Sequence, residues 1–146
     1  MPTSNSSDEI VDLRTSEDVL RARQRSRVVA EGIGFESADQ TRISTAVSEI
    51  ARNVLQHSGT TGTVRLGEFR EGGKLGLAIV VHDSGCGIAS LELVLGDDES
   101  SLVLRRGAGL PGSKRLMDEF KVETGVGRGT TVNMVKWLRR AEDVGA

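Results

Sequence analysis

The chain has no tyrosine, one tryptophan, three phenylalanines, one cysteine and two prolines among its 146 residues. Each shortage narrows the function class. A lone Cys86 cannot close an internal disulfide, which fits a reducing compartment. No apolar run approaches the roughly 18 residues of a membrane span, and the polar N-terminus carries no signal-peptide pattern. A soluble cytoplasmic protein with no membrane partner is therefore expected. A net charge of −2, the lack of any basic block and four aromatics in all count against a nucleic-acid partner. What the chain has in excess is glycine, eighteen residues against an average share of about 7%.

The length suits one domain with a real core. Ile10 to Leu13 reads as a short edge strand. A helix follows, capped by Ser16 and running to about Glu31, where "GIGF" stops it. A second helix starts near Ser37–Asp39 and ends near Ser58–Gly59. "TVRLGEFR" and "LGLAIVVH" read as a hairpin turning at Glu71 to Lys74. After "DSGCGI" a short helix is expected near Leu91–Leu95, then the irregular "GDDESS". "KVETG" and "GTTVNMVKW" read as a last antiparallel pair about a turn at Val126 to Arg128. Helices with a largely antiparallel sheet predict an α+β sandwich, not a doubly wound fold.

The stretch "RRGAGLPGSKRLMDEF", Arg105 to Phe120, places three glycines and a proline before what reads as a helix. A plain connecting loop is one reading. Anion binding is the other: glycines let backbone N–H groups approach a ligand, and a first helical turn offers unpaired donors and a positive dipole end. "GAGLPG" has the G-x-G-x-x-G spacing but sits too late in the chain for a dinucleotide fold, and no P-loop pattern is present. From Gly96 to Gly109 the chain is acidic, then basic, without a sustained period, which suits a lid.

Two further places carry polar groups beside a core. On the second helix Ile43, Ala46, Val47, Ile50, Ala51, Val54 and Leu55 form one apolar stripe. Glu49 and Asn53 lie together on its flank, with Gln56 a further turn along, as a cleft-facing pair or as a solvated edge. His57 falls nearer the stripe and reads as packing or capping. In "VVHDSGCGI" an apolar strand ends at Asp83 before Gly85 and Gly87. That Asp either accepts from the exocyclic amino group of adenine or makes an ordinary turn. A Ser84–His57 hydrolase triad has no G-x-S-x-G elbow behind it.

Four stretches, in order and spacing, resemble the motifs of the GHKL ATP-binding superfamily of gyrases, MutL and histidine kinases. "SEIARNVLQH" is similar to its N box, "DSGCGI" to its first glycine box, "GAGLPG" to the second and "GRGTT" to the third. Over about Ile10 to Arg139 the chain is most similar to small bacterial switch kinases of the anti-sigma-factor type, in particular the RsbT type of the stressosome. The resemblance implies a two-layer α/β sandwich of the GHKL (Bergerat) type, its mixed, mostly antiparallel sheet covered on one face by helices. It also implies a flexible segment at 1–9, an ATP-binding kinase domain at 10–139 and a tail at 140–146.

By position, the resemblance makes Glu49 the general base and Asn53 the Mg²⁺ ligand. Asp83 reads adenine, with Thr130 near it through water. Gly85, Gly87, Gly107, Ala108, Gly109, Leu110 and Gly112 line the ATP pocket and phosphate lid. Arg105 and Arg106 depart from the small or apolar residues usual there, and Cys86 stands where proline is common. The implied activity is ATP- and Mg²⁺-dependent phosphorylation of a Ser or Thr on a STAS-domain antagonist or stressosome scaffold protein of the RsbS or RsbR kind. A PP2C-type phosphatase or a sigma factor is implied as a further partner. The alternative is a switch that sequesters a sigma factor or activates a phosphatase without needing catalysis.

Overall fold

After a short strand, β1 (Glu9–Leu13), the chain forms two helices, α1 (Ser16–Ile33) and α2 (Ser37–Asn53). The structure is a computed structural model and describes residues 8–58, 61–83, 93–95, 102–104, 115–125 and 129–139. The cap of α1 is displaced by one residue from the sequence expectation: Thr15 is the extended N-cap residue and Ser16 opens the helix. Asp18 does the bonding. Its carboxylate turns back to accept the backbone N–H groups of Arg14 at 2.8 Å and Thr15 at 3.0 Å, the return half of a capping box.

Those two N–H donors, with Arg21 paired behind them, hold the Asp18 carboxyl below its ordinary range. Folding therefore favours the ionised form. The contribution is complete above the ordinary aspartate range and is lost as pH falls through the lower folded-state value. Asp18→Ala is expected to lower Tm at neutral pH, with the gap to wild type narrowing in acid. Thermal melts of both proteins at the two pH extremes check this.

Gly34, within the expected "GIGF" stop, ends α1. Its φ of +120° suits glycine, and its N–H reaches the carbonyls of Ala30 and Glu31, both at 3.1 Å. The helix consequently runs two residues past the expected Glu31. α1 and α2 pack on each other, and their buried serines leave no hydroxyl orphaned. Ser26, Ser44 and Ser48 each donate to the carbonyl three residues back, at 2.7, 3.1 and 3.1 Å. Glu9 and Arg25 form a two-pronged ion pair tying β1 to α1. Both groups are partly exposed, so the pair adds modestly.

The larger sheet is antiparallel throughout, in the order β1-β2-β3-β7-β6, with β2 at Gly62–Glu71, β3 at Lys74–Asp83, β6 at Glu119–Gly125 and β7 at Gly129–Trp137. The expected hairpin is present. Gly72 and Gly73 form its two-residue loop with φ of +59° and +81°, the sign that primed turns require. Leu77, Ile79 and Val81 alternate on one face of β3 and, with Val64, Leu66, Val132 and Met134, meet the α2 stripe of Ile43, Ala46, Val47 and Ile50 in one core. This is the two-layer α+β sandwich, with helices on one face of an antiparallel sheet.

Three expectations are corrected. Leu93–Leu95 is a strand, β4, not part of a helix; it pairs with β5 (Leu102–Leu104) in a separate two-stranded ladder. That ladder also gives regular structure to part of the stretch read as an irregular lid. The helix read through Phe120 stops early. Arg115 and Leu116 are helical, the chain bends at Met117 and Asp118, and β6 begins at Glu119. Pairing of Phe120 with Met134 puts Phe120 on the core face, and this outweighs local helix preference. Lastly, α-helical bonding in α2 ends at Asn53, and Val54–Ser58 form a π-helical turn in place of the expected final turn.

Candidate nucleotide site

One row of residues crosses an end of the larger sheet: Leu13, Gly62, Asp83, Thr130 and Thr124 are successive cross-strand partners. The topology brings the end of α2 to the same place. α1 leaves from the Leu13 end, α2 returns towards it, and β2 starts there.

Gly62 shows how close the approach is. A Cβ on Gly62 would lie 2.4 Å from the His82 carbonyl oxygen, 3.0 Å from Val54 Cγ1 and 3.3 Å from Asp83 Cα. Only glycine lets Val54, the residue after Asn53, and the β3 backbone at His82 and Asp83 crowd the same position on β2. The π turn begins at that same Val54, and such departures from α geometry recur at functional sites. Sequence reading missed both features. The signal for the first was a glycine at the start of a strand, directly before the β-branched Thr63 and Val64.

Asp83 continues the inward alternation of Leu77, Ile79 and Val81, so its carboxylate is delivered to the helix-covered face, where it is 5% exposed. Thr130, its direct partner on β7, lies on the same face and is 8% exposed. The two residues read from separate motifs thus stand side by side. A buried carboxylate beside a hydroxyl at the rim of an apolar core is an acceptor surface suited to an amino group.

Glu49 and Asn53 are half-buried, one turn apart on the flank of the α2 stripe, and Gln56 is exposed. The Asn53 Nδ2 atom is buried with no hydrogen-bond partner among the described residues. Turning the amide exchanges its oxygen and nitrogen, so the site offers either a donor or a hard oxygen ligand. An unsatisfied buried amide costs about 1–3 kcal/mol, a penalty that a bound ligand removes. The donor chemistry fits Mg²⁺, which takes oxygen ligands and shares them with phosphates and water.

Gly85, Gly87, Gly107, Ala108, Gly109, Leu110 and Gly112 lie outside the described residues, as do Ser84, Cys86, Arg105 and Arg106 and the side chain of His57. His82 points to the opposite face of the sheet, where its Nδ1 meets the Thr131 hydroxyl at 2.8 Å.

A family model described as the histidine kinase-like ATPase domain matches residues 14–136, a span that contains Glu49, Asn53, Asp83 and Thr130. The serine/threonine-protein kinase RsbT of Bacillus subtilis (strain 168) is 43% identical over 129 residues, covering 88% of this chain and 96% of that protein. Two anti-sigma F factors, from Thermoanaerobacter sp. (strain X514) and Thermoanaerobacter pseudethanolicus (strain ATCC 33223 / 39E), are each 31% identical over 100 residues, covering 66% of this chain and 68% of theirs. Among the described residues no helix is long and apolar enough to cross a membrane. With its two-layer sandwich, and with α2, β3 and β7 meeting at one end of the sheet, the chain belongs to the histidine kinase-like ATPase family, in the branch of the RsbT-like serine/threonine-protein kinases.

Proposed function

We propose that the chain transfers the γ-phosphoryl group of ATP to a Ser or Thr hydroxyl of a STAS-domain antagonist or scaffold protein, within a partner-switching pathway. The observation that carries this reading is the placement of Glu49 one turn before Asn53, at an α2 end whose next residue, Val54, packs at Gly62, the cross-strand partner of Asp83. In this reading Asp83 accepts from the adenine amino group, Thr130 supports that contact, and Asn53 holds Mg²⁺. When bound there, Mg²⁺ would supply neutralisation of phosphate charge. Glu49 accepts the proton of the incoming hydroxyl, whose oxygen then bonds to the γ-phosphorus as the bond from that phosphorus to the bridging oxygen breaks and ADP leaves. The glycines Gly85, Gly87, Gly107, Gly109 and Gly112, with Ala108 and Leu110, supply the remaining nucleotide contacts through backbone N–H groups.

A second reading has its own support in the relatives named anti-sigma F factors. In it the nucleotide-bound chain acts by sequestering a sigma factor or activating a phosphatase, without needing catalysis. Loss of phosphotransfer without loss of partner binding separates the two readings.

Asn53 provides the test of the metal. Asn53→Ala is expected to weaken Mg-ATP binding roughly 10- to 100-fold, the loss of one interaction with a charged group. Binding measured in the presence of a chelator should be the same for variant and wild type. Calorimetric titrations with and without Mg²⁺ decide this, and equal Mg-ATP affinities would remove Asn53 from the metal.

A further inference from the structure

At the other end of the larger sheet, on the face away from the helices, Phe69, Gly76 and Trp137 are cross-strand partners. Gly76 lies seven residues along β3 from Asp83, which is roughly 23 Å of strand. The missing side chain at Gly76 is what lets the indole lie flat. A Cβ there would stand 2.9 Å from Trp137 Cε3, and the indole reaches Phe69 with ring centroids 5.5 Å apart.

The indole is also held from behind. Its Nε1 donates to Glu119 at 2.7 Å, the Trp137 backbone N–H donates to Asp118 at 2.7 Å, and the Leu138 N–H donates to the Leu75 carbonyl at 2.8 Å. Beside it opens a groove of about 400 Å³ lined by Lys74, Asp118, Trp137, Leu138 and Arg139. Two of the chain's four aromatics are therefore spent on a half-exposed, pinned surface far from the nucleotide.

The charges in the groove are unequal. Asp118 is occupied by the Trp137 N–H and by Lys136 at 3.8 Å. Lys74 lies over the indole, 5.7 Å from its centroid. Among the described residues no carboxylate is paired with either Lys74 or Arg139. A rigid indole with an aliphatic neighbour and two cations that no carboxylate among the described residues pairs is the composition of a protein-binding hot spot for an acidic partner. We propose that this groove docks an acidic protein segment, placing a leucine-sized side chain against Trp137 and Leu138 and carboxylates against Lys74 and Arg139. The surface is separate from the phosphotransfer site and does not depend on that assignment.

Trp137 is the sole tryptophan, so its fluorescence reports on the groove directly. The probe is a blocked pentapeptide of sequence Glu-Leu-Asp-Leu-Glu, with Lys-Leu-Lys-Leu-Lys as control. The acidic peptide should shift the emission saturably, and the basic one should not. Lys74→Glu and Arg139→Glu, singly and together, should weaken the response, by about tenfold or more for the pair, while Mg-ATP affinity stays at the wild-type value. An absent or unsaturable response, an equal response to the basic peptide, or unchanged affinity in the charge-reversed variants would overturn the proposal. A response gained only on removal of residues 140–146, which include Glu142 and Asp143, would also overturn it, by making the chain's own tail the occupant.

Discussion

Asp83→Asn is expected to abolish detectable ATP binding while leaving the fold intact. The substitution keeps the size of the side chain but replaces a charged acceptor with an amide. Losing a hydrogen bond to a buried charged group costs about 1.5–3 kcal/mol, roughly 10- to 100-fold in affinity. If the amide turns its NH₂ towards the adenine amino group, two donors face each other and the loss grows. The same chemistry predicts the base preference. Guanine presents an oxygen where adenine presents its amino group, and a carboxylate repels it, so GTP should bind far more weakly than ATP. Calorimetry with both nucleotides, beside a thermal melt of the variant, measures the effect. Equal ATP and GTP affinities for the wild type would take Asp83 out of the adenine pocket.

Glu49→Gln should have the opposite profile, with nucleotide retained and chemistry lost. The variant preserves shape and half-burial on α2 and removes only the ability to take a proton. General-base assistance is worth about 10²- to 10⁴-fold in rate. Phosphotransfer should fall by that order with the Kd for Mg-ATP unchanged. The contrast with Asn53→Ala, where binding itself weakens, separates a base from a ligand one turn along the same helix. Transfer by Glu49→Gln at near the wild-type rate would mean that Glu49 is structural.

Much of this arrangement is legible in the sequence, and the failures have physical causes. The apolar stripe from Ile43 to Ala51 repeats with the helical period, and it is the buried face of α2. Gly72-Gly73 marks the hairpin because positive φ is needed at both positions. Leu93–Leu95 misleads because three apolar residues are too few to distinguish a strand from a helix. Its partner, Leu102–Leu104, has the same three residues in the same order and was the better clue. The end of α2 misleads for another reason: a change from α to π bonding alters hydrogen-bond partners without altering which residues are apolar. Glu49 with Asn53 could be placed on one flank by spacing alone. That Asp83 and Thr130 are direct partners depends on the pairing of β3 with β7, and only the motif resemblance hinted at it.

In the proposed function this site moves phosphate from ATP onto another protein. The most direct measurement follows γ-labelled ATP in the presence of a STAS-domain partner, separating phosphoprotein, inorganic phosphate and unreacted nucleotide. Label is predicted to appear on a Ser or Thr of the partner, to require Mg²⁺, and to be absent with Glu49→Gln. Label recovered only as inorganic phosphate, or ATP left intact in a complex that still binds the partner, would contradict a protein kinase.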